Sequence, residues 1–409
     1  MSKIKIKNFG PIREGFDTGD GFMDIKKVTV FIGDQGTGKS TVAKLISTLM
    51  WMEKAVNRGE MSTTGLNFNR FQQRCAYQGI DSYILQDTKI EYVGELYTIK
   101  ITKDEPPIFE EINNGDYIVP KIMYVPAERN FLSTIKGAYD VTGLPGPLTT
   151  FAEELKRAQI DLEGRKLDLP VRKYAYEHDA EKDTAHISGT DYKIDILQAS
   201  SGIQSLIPLY LVSRNIALSI AKADQNNNAN ISVNQLIRRN DEITRITLDD
   251  TIPDDEKKNM VSKVYARFHN KCFVNIVEEP EQNLYPTSQS QILKSLLEFN
   301  SAKGNKLVMT THSPYIINYL TLAIKAFTLS KGIEASGKRQ ELSERLEKIV
   351  PLVSAVNPDD VVIYELDNNG KIIKLDSYNG LPSDENYLNE ELGETNELFA
   401  QLLEIQQAL

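Results

Sequence analysis

The sequence lacks any run approaching the roughly 18 apolar residues that cross a bilayer, although 41% of its 409 residues are hydrophobic, enough for a sizeable core in one large domain or in two or three smaller ones. Its start, Met1-Ser-Lys-Ile-Lys-Ile-Lys-Asn-Phe9, alternates charge and apolarity where a signal peptide would have an apolar core. A cytoplasmic protein with no membrane partner is therefore expected. Cysteine and histidine are scarce: Cys75 and Cys272 lie far apart with no CxxC spacing, and there are only four histidines. That excludes a disulfide framework and a zinc site, and leaves two buried thiols. Basic excess is absent too. The net charge of -10 argues against a surface coated for sequence-blind nucleic-acid binding. Two short basic clusters, Lys54 to Arg58 and Lys331 to Arg339, read as solvated loops. No internal repeat is evident.

What is present begins with short strands. Lys3, Lys5 and Lys7 alternate with Ile4 and Ile6, the pattern of an edge or half-exposed strand. Val28 to Ile32 is a β-branched run that enters a glycine loop, and Ser40 to Met52 then carries apolar residues at helical spacing. Residues 63–115 are polar and irregular, with strand-like pieces at Lys89 to Val93 and Leu96 to Ile101, and read as a small antiparallel β lobe. A strand over Lys121 to Val125 leads to a helical lobe, where Thr150 and Glu153 stand at capping-box spacing. Ile203 to Ala221 reads as a long apolar helix. An exposed insertion at about 224–262 follows, with the asparagine-rich run Gln225 to Asn230. Cys272 to Val277 and Lys306 to Thr310 have the continuous apolarity of buried parallel strands. The remainder reads as a helix ending before Pro351, a hairpin around Asn368-Asn369-Gly370, and a last helix with Leu398, Leu402, Ile405 and Leu409 on one stripe.

Four segments carry chemistry. Gly33-Asp-Gln-Gly36-Thr37-Gly38-Lys39-Ser40-Thr41 fits G-x-x-x-x-G-K-[ST] between a strand and a helix start. There, backbone N–H groups can curl around phosphates, the helix N-terminus adds its dipole, Lys39 reaches the β/γ oxygens and the Ser40 hydroxyl can ligate magnesium. An apolar strand delivers Glu278 and Glu279 to its end. In a P-loop protein, Glu278 would be the metal-side group and Glu279 the base that polarises the attacking water. His312, in Thr310-Thr-His-Ser-Pro314, can contact the γ-phosphate and the water. Ala199-Ser200-Ser201-Gly202-Ile203-Gln204 precedes the long helix; alone, it is an ordinary helix cap.

In this order the four segments resemble an ABC-type P-loop ATPase head, with P-loop, signature motif, acidic strand and switch histidine. Ile4 to Ile12, Tyr124 to Arg129, Glu278 to Pro286 and Thr310 to Pro314 look like the SMC/RecF/OLD branch of that class. The resemblance implies an α/β fold with a mixed sheet, a small antiparallel β lobe and a helical lobe. It places the head at residues 1–330, the signature lobe at about 130–225, and a helix-hairpin-helix extension packed on the head at 331–409. It also implies ATP and magnesium as ligands, and a homodimer or higher even-numbered oligomer. Ser201, Gly202 and Gln204 of one copy would then cap the γ-phosphate of the other, with Asn283 and Leu284 crossing the interface. Three departures stand out: Glu278 where the family usually has Asp, Ser200 and Ile203 where the common signature has Leu and Gly, and Glu128 or Arg129 where a glutamine is usual. No long heptad segment or acidic nuclease cluster is present. The sequence thus most resembles compact anti-phage ATPases of the Septu or PARIS type, which work with a separately encoded effector. The alternative is a RecF-like repair ATPase that binds DNA directly.

Overall fold

The computed structural model describes residues 2–408 apart from 64–66, 113–116, 172, 180, 223–232 and 335–338. Every residue of the strands Val28–Gly33 and Cys272–Glu278 is buried, as their unbroken apolar runs require of parallel strands covered on both faces. They belong to a seven-stranded mixed sheet ordered Gly15–Phe16, Lys371–Lys374, Val361–Leu366, Val28–Gly33, Lys306–Thr310, Cys272–Glu278, Pro120–Val125. The last five run parallel, so Leu366, Gly33, Thr310, Glu278 and Val125 end on one edge.

Alternate side chains of these strands feed two cores. Val30, Ile32, Phe273, Val277 and Met309 face the helices Ser201–Lys222, Pro286–Phe299 and Pro314–Glu334. Phe31, Val274, Ile276 and Val308 face the helix Lys39–Asn57 and a five-stranded antiparallel sheet. The chain is therefore an α/β protein with helices and a second sheet layered on a mixed sheet. Within the antiparallel layer, Ser2–Phe9 keeps the expected alternation of buried and half-exposed residues, but it is not an edge. It pairs with Met23–Ile25 on one side and Ile84–Val93 on the other.

Several expectations are corrected. The helix after Gly143 runs Gly146–Asp161 with proline in its first turn and no side-chain cap, so Thr150 lies inside it and bonds the Tyr77 hydroxyl at 2.7 Å instead of capping. The helical lobe also carries an unforeseen four-stranded antiparallel sheet built from short strands between Leu167 and Asp195. The division at residue 330 is not a break in the fold. Val361–Leu366 pairs in parallel with Val28–Gly33, and its hairpin partner Lys371–Lys374 extends the same sheet. The hairpin turn is held by the Asp367 carboxylate, which accepts from the N–H groups of Asn369 and Lys371.

The last helix, Tyr387–Ala408, tucks Leu388 into the core, but Leu398, Leu402 and Ile405 are about 60% exposed, so the expected stripe does not pack on the head. Leu409 lies outside the described residues, as does the run Gln225 to Asn230. The described part of the insertion is a hairpin of two helices, Val233–Leu248 and Asp254–Phe268, closed around Ile246, Val264 and Phe268. Lys54 to Arg58 is no solvated loop. It closes the helix Lys39–Asn57, and Arg58 is buried against the carbonyls of Arg267 and Phe268. The helix Ser201–Lys222 is long and apolar enough to cross a membrane by composition, yet Leu206, Leu209, Val212 and Ile216 are core residues.

Candidate functional site

The edge where the parallel strands end is the usual ligand-binding edge of such sheets, and it gathers most of the expected residues. Gly33 has φ +137 and a Cβ there would lie 2.3 Å from the Leu366 carbonyl oxygen, so only glycine fits. Gly36 and Gly38 also have positive φ, and a Cβ on Gly38 would meet Pro11 at 2.9 Å. Gly38 caps the helix Lys39–Asn57 without any side-chain bond to the first turn, and no acidic residue occupies that turn. The leading N–H groups are thus left for an anion. Thr37 fixes the loop by donating to the Asp34 carbonyl at 2.9 Å. Ser40 is exposed and offers its hydroxyl, whereas Thr41 is buried and can offer only its backbone.

Lys39 is 5% exposed. Its ammonium donates to the carbonyls of Gly33 at 2.9 Å and Asp34 at 2.6 Å, spanning the loop it would surrender to phosphate. Burial pushes its pKa down to about 8, against the opposing pull of Glu279, Asp34 and Glu281.

Opposite the loop, Glu278 is buried and accepts from the Ala127 N–H at 3.1 Å. Glu279 sits at φ 43, a left-handed conformation rare outside glycine, which turns its carboxylate out of the strand line. His312 Nε2 lies 3.6 Å from Glu279 Oε1. Chiefly through His312, and then through Arg129 and Lys39, the Glu279 carboxyl is held below its ordinary value despite partial burial. It is therefore ionised at neutral pH. The residues present fit a polyphosphate with magnesium: a glycine cradle with unclaimed N–H groups, one buried ammonium, an exposed Ser40 hydroxyl, and Glu278 and Glu279 at the facing strand end.

Two residues were not assigned from the sequence. Arg129 has no exposed surface, while Glu128 beside it is exposed. Its guanidinium donates to the carbonyls of Glu278 and Glu279, each at 2.7 Å, and of Pro126 and Ser205, each at 3.2 Å. Burial lowers its pKa to about 10, countered by the nearby carboxylates, and it stays charged. Glu281 accepts from the Thr311 hydroxyl at 2.8 Å and the His312 N–H at 2.7 Å. Burial raises its pKa. The sequence signal for Glu281 was a third carboxylate two residues beyond Glu279.

The signature segment lies on the other flank. Ser201 is exposed at the helix start, and a Cβ on Gly202 would lie 2.7 Å from the Asn283 carbonyl oxygen. Asn283 donates to the Ser205 hydroxyl at 3.0 Å, and the Leu284 side chain approaches Gly202, so both residues pack on their own signature helix. Gln204 departs from expectation. It is buried, and its amide donates to the carbonyls of Ile196 and Leu197 in its own chain, which occupies the group that was expected to face a second copy.

Residues 258–317, which include Glu278, Glu279 and His312 but not the P-loop, match a family described as AAA ATPase domain. No curated protein sequence matches the chain. Among solved structures, it is similar to the SMC head domain from Thermotoga maritima, with 11% identity, TM-score 0.33, and coverage of 78% of this chain and 90% of that one. It is also similar to an Smc head domain with an extended coiled coil, bound to the C-terminal domain of ScpA, from Pyrococcus furiosus. That match has 9% identity, TM-score 0.38, and coverage of 97% and 100%. A third is the dimeric post-hydrolysis state of the ATP-binding cassette MJ0796 bound to ADP and Pi, with 14% identity, TM-score 0.27, and coverage of 92% and 100%.

Proposed function

We propose that this chain is an ABC-type P-loop ATPase that hydrolyses the β–γ anhydride of ATP at a site completed by a second copy of itself. The observation that carries the reading is the meeting of three groups on one sheet edge: Lys39 in its glycine cradle, Glu279 in a left-handed turn facing it, and His312 beside Glu279. The backbone from Gly33 to Thr41 would wrap the phosphates, and Lys39 would exchange its carbonyl partners for β/γ oxygens. Ser40 and Glu278 would hold magnesium, which neutralises phosphate charge when bound. The ionised Glu279 accepts the proton of the attacking water, and His312 contacts the γ-phosphate. Ser201 and Gly202, exposed or half-exposed at a helix N-terminus, are the groups left to cap the γ-phosphate of a partner copy in a homodimer or higher even-numbered oligomer.

The cycle of this dimer would control a separately encoded effector, a nuclease or toxin, in bacterial anti-phage defence; the sequence resemblance supports this step. The net charge of -10 favours a protein partner over DNA held across the dimer, the RecF-like alternative.

The test is Glu279→Gln with saturating ATP and magnesium. Retained ATP, turnover slowed by about 100-fold or more and a dimer by mass in solution are expected. Wild-type turnover overturns the assignment of the base, and a monomer overturns the composite site. Micromolar ATP binding by Lys39→Ala overturns the P-loop reading itself.

A further inference from the structure

Away from the P-loop, a cavity of about 350 Å³ opens between the helices Lys39–Asn57, Phe68–Tyr77 and Gly146–Asp161 and the strand Pro120–Val125. Its volume falls within the range of small-molecule sites, about 300–1,000 Å³. In a protein of net charge -10, this cavity is lined by four basic residues, Lys54, Arg74, Lys121 and Arg157, against two acidic ones, Glu153 and Glu154.

The cations are unevenly satisfied. Glu154 takes both Lys121, at 2.6 Å, and Arg157, at 3.3 Å. Among the described residues, the Lys54 ammonium has only neutral acceptors, the Pro120 carbonyl and the Asn270 side chain. Burial, with Arg58 and Lys121 as like-charged neighbours, drives its pKa well down; Glu60 opposes this in part. The Arg74 guanidinium makes no hydrogen bond or ion pair among the described residues. It lies 3.3 Å above the Trp51 ring, which fixes the plane and leaves the N–H fork free at its edge. Two further lining groups, the Thr48 hydroxyl and the Gln78 amide oxygen, are buried without a partner among the described residues, although both residues are almost wholly enclosed. Such groups cost free energy unless something bonds them.

We propose that this cavity is a ligand site separate from the P-loop, taking a small organic phosphate of about mononucleotide size. A phosphomonoester suits the basic lining, and the flat Arg74 fork matches two of its oxygens. The Thr48 hydroxyl supplies a further donor, and the Gln78 oxygen accepts from a hydroxyl or amino group on the organic body. The site holds whether or not the P-loop hydrolyses ATP.

Trp51 is the single tryptophan of the chain, so its fluorescence reports this cavity alone. The full chain carrying Lys39→Ala, which disables the P-loop, is titrated with AMP, inorganic phosphate and adenosine. A saturable change with AMP, with Kd on the order of 10–100 μM, is expected. Phosphate should bind more weakly and adenosine not at all. Arg74→Gln should weaken AMP by about tenfold or more. Because that change also alters the surroundings of Trp51, calorimetry reads the same affinities independently, and circular dichroism checks that the helices persist. Thr48→Val, which leaves Trp51 and Arg74 in place, should weaken AMP about several-fold. No saturable AMP binding up to about 10 mM, equal binding of adenosine, tighter binding of phosphate than of AMP, or unchanged affinity in Arg74→Gln would each overturn the proposal.

Discussion

Arg129 holds the peptide of Glu279 from inside the protein: its Nη2 donates to the Glu279 carbonyl oxygen at 2.7 Å while Nη1 grips the carbonyl of Glu278 at the same distance. The left-handed turn that points the Glu279 carboxylate toward the P-loop is thereby anchored from behind. The same guanidinium reaches Ser205 in the signature helix, so the proposed base and the proposed capping segment share one support.

Replacing Arg129 should therefore separate catalysis from binding. In Arg129→Met the carbonyls of Glu278 and Glu279 lose charged donors, at about 1.5–3 kcal/mol for each charged hydrogen bond, although Glu279 keeps the Gln282 N–H. The unfolding midpoint should fall, kcat should drop by about 100-fold, and the Kd for ATP should stay near its original value. Arg129→Lys should recover little, since one ammonium cannot reach four carbonyls. A variant that loses ATP affinity and keeps kcat would contradict the anchoring role.

Glu281 positions His312 through its backbone and through Thr311. Glu281→Ala should free that loop and lower kcat by about 10- to 100-fold without weakening ATP. Glu281→Gln keeps the accepting oxygen at the same place and should retain most of the activity. Single-turnover hydrolysis and equilibrium ATP binding, measured on both variants, distinguish this from general unfolding, which would weaken both.

The ATP affinity should depend on pH through Lys39. Its pKa of about 8 means that the ammonium is present below that pH and lost above it. Bound phosphate favours the charged form, so the proton lost at high pH must be regained on binding. Affinity is then flat below about pH 8 and falls above it, by at most about tenfold per unit. Calorimetry from pH 7 to 9.5, about the range the lysine spans, should show this fall with proton uptake. A flat profile would place the titration elsewhere.

Gly202→Val tests the contact between the signature helix and Asn283. The new Cβ would sit 2.7 Å from the Asn283 carbonyl oxygen, so that loop must move, at about 1–3 kcal/mol. ATP binding to the P-loop should survive, while hydrolysis and dimer formation fall together. Nucleotide binding and mass in solution, measured on the same preparation, decide this. An unchanged ATPase rate would remove Gly202 from the composite site.

The sequence alone determined those parts of this protein in which local pattern and chemistry coincide. The apolar runs Val28–Gly33 and Cys272–Glu278 had to be buried strands, because nothing polar interrupts them. Gly33, Gly36 and Gly38 had to form a turn closed to other residues; Lys39 was legible from its place after that turn at a helix start, and Glu279 and His312 from their places beyond strand ends. Tertiary structure decided whatever depends on residues distant in the chain. Val361–Leu366 joined the central sheet rather than a separate extension because a parallel partner is chosen by available edge and burial, not by nearness in sequence. Gln204 turned into its own chain because the carbonyls of Ile196 and Leu197 lay within its reach, although Ile196 already accepts from the Ala199 N–H. Arg129 and Glu281 are charges on turns whose roles depend on carbonyls, a hydroxyl and an N–H from three segments. A charge in a sequence reads the same whether it meets water or a buried acceptor, and only packing settles which.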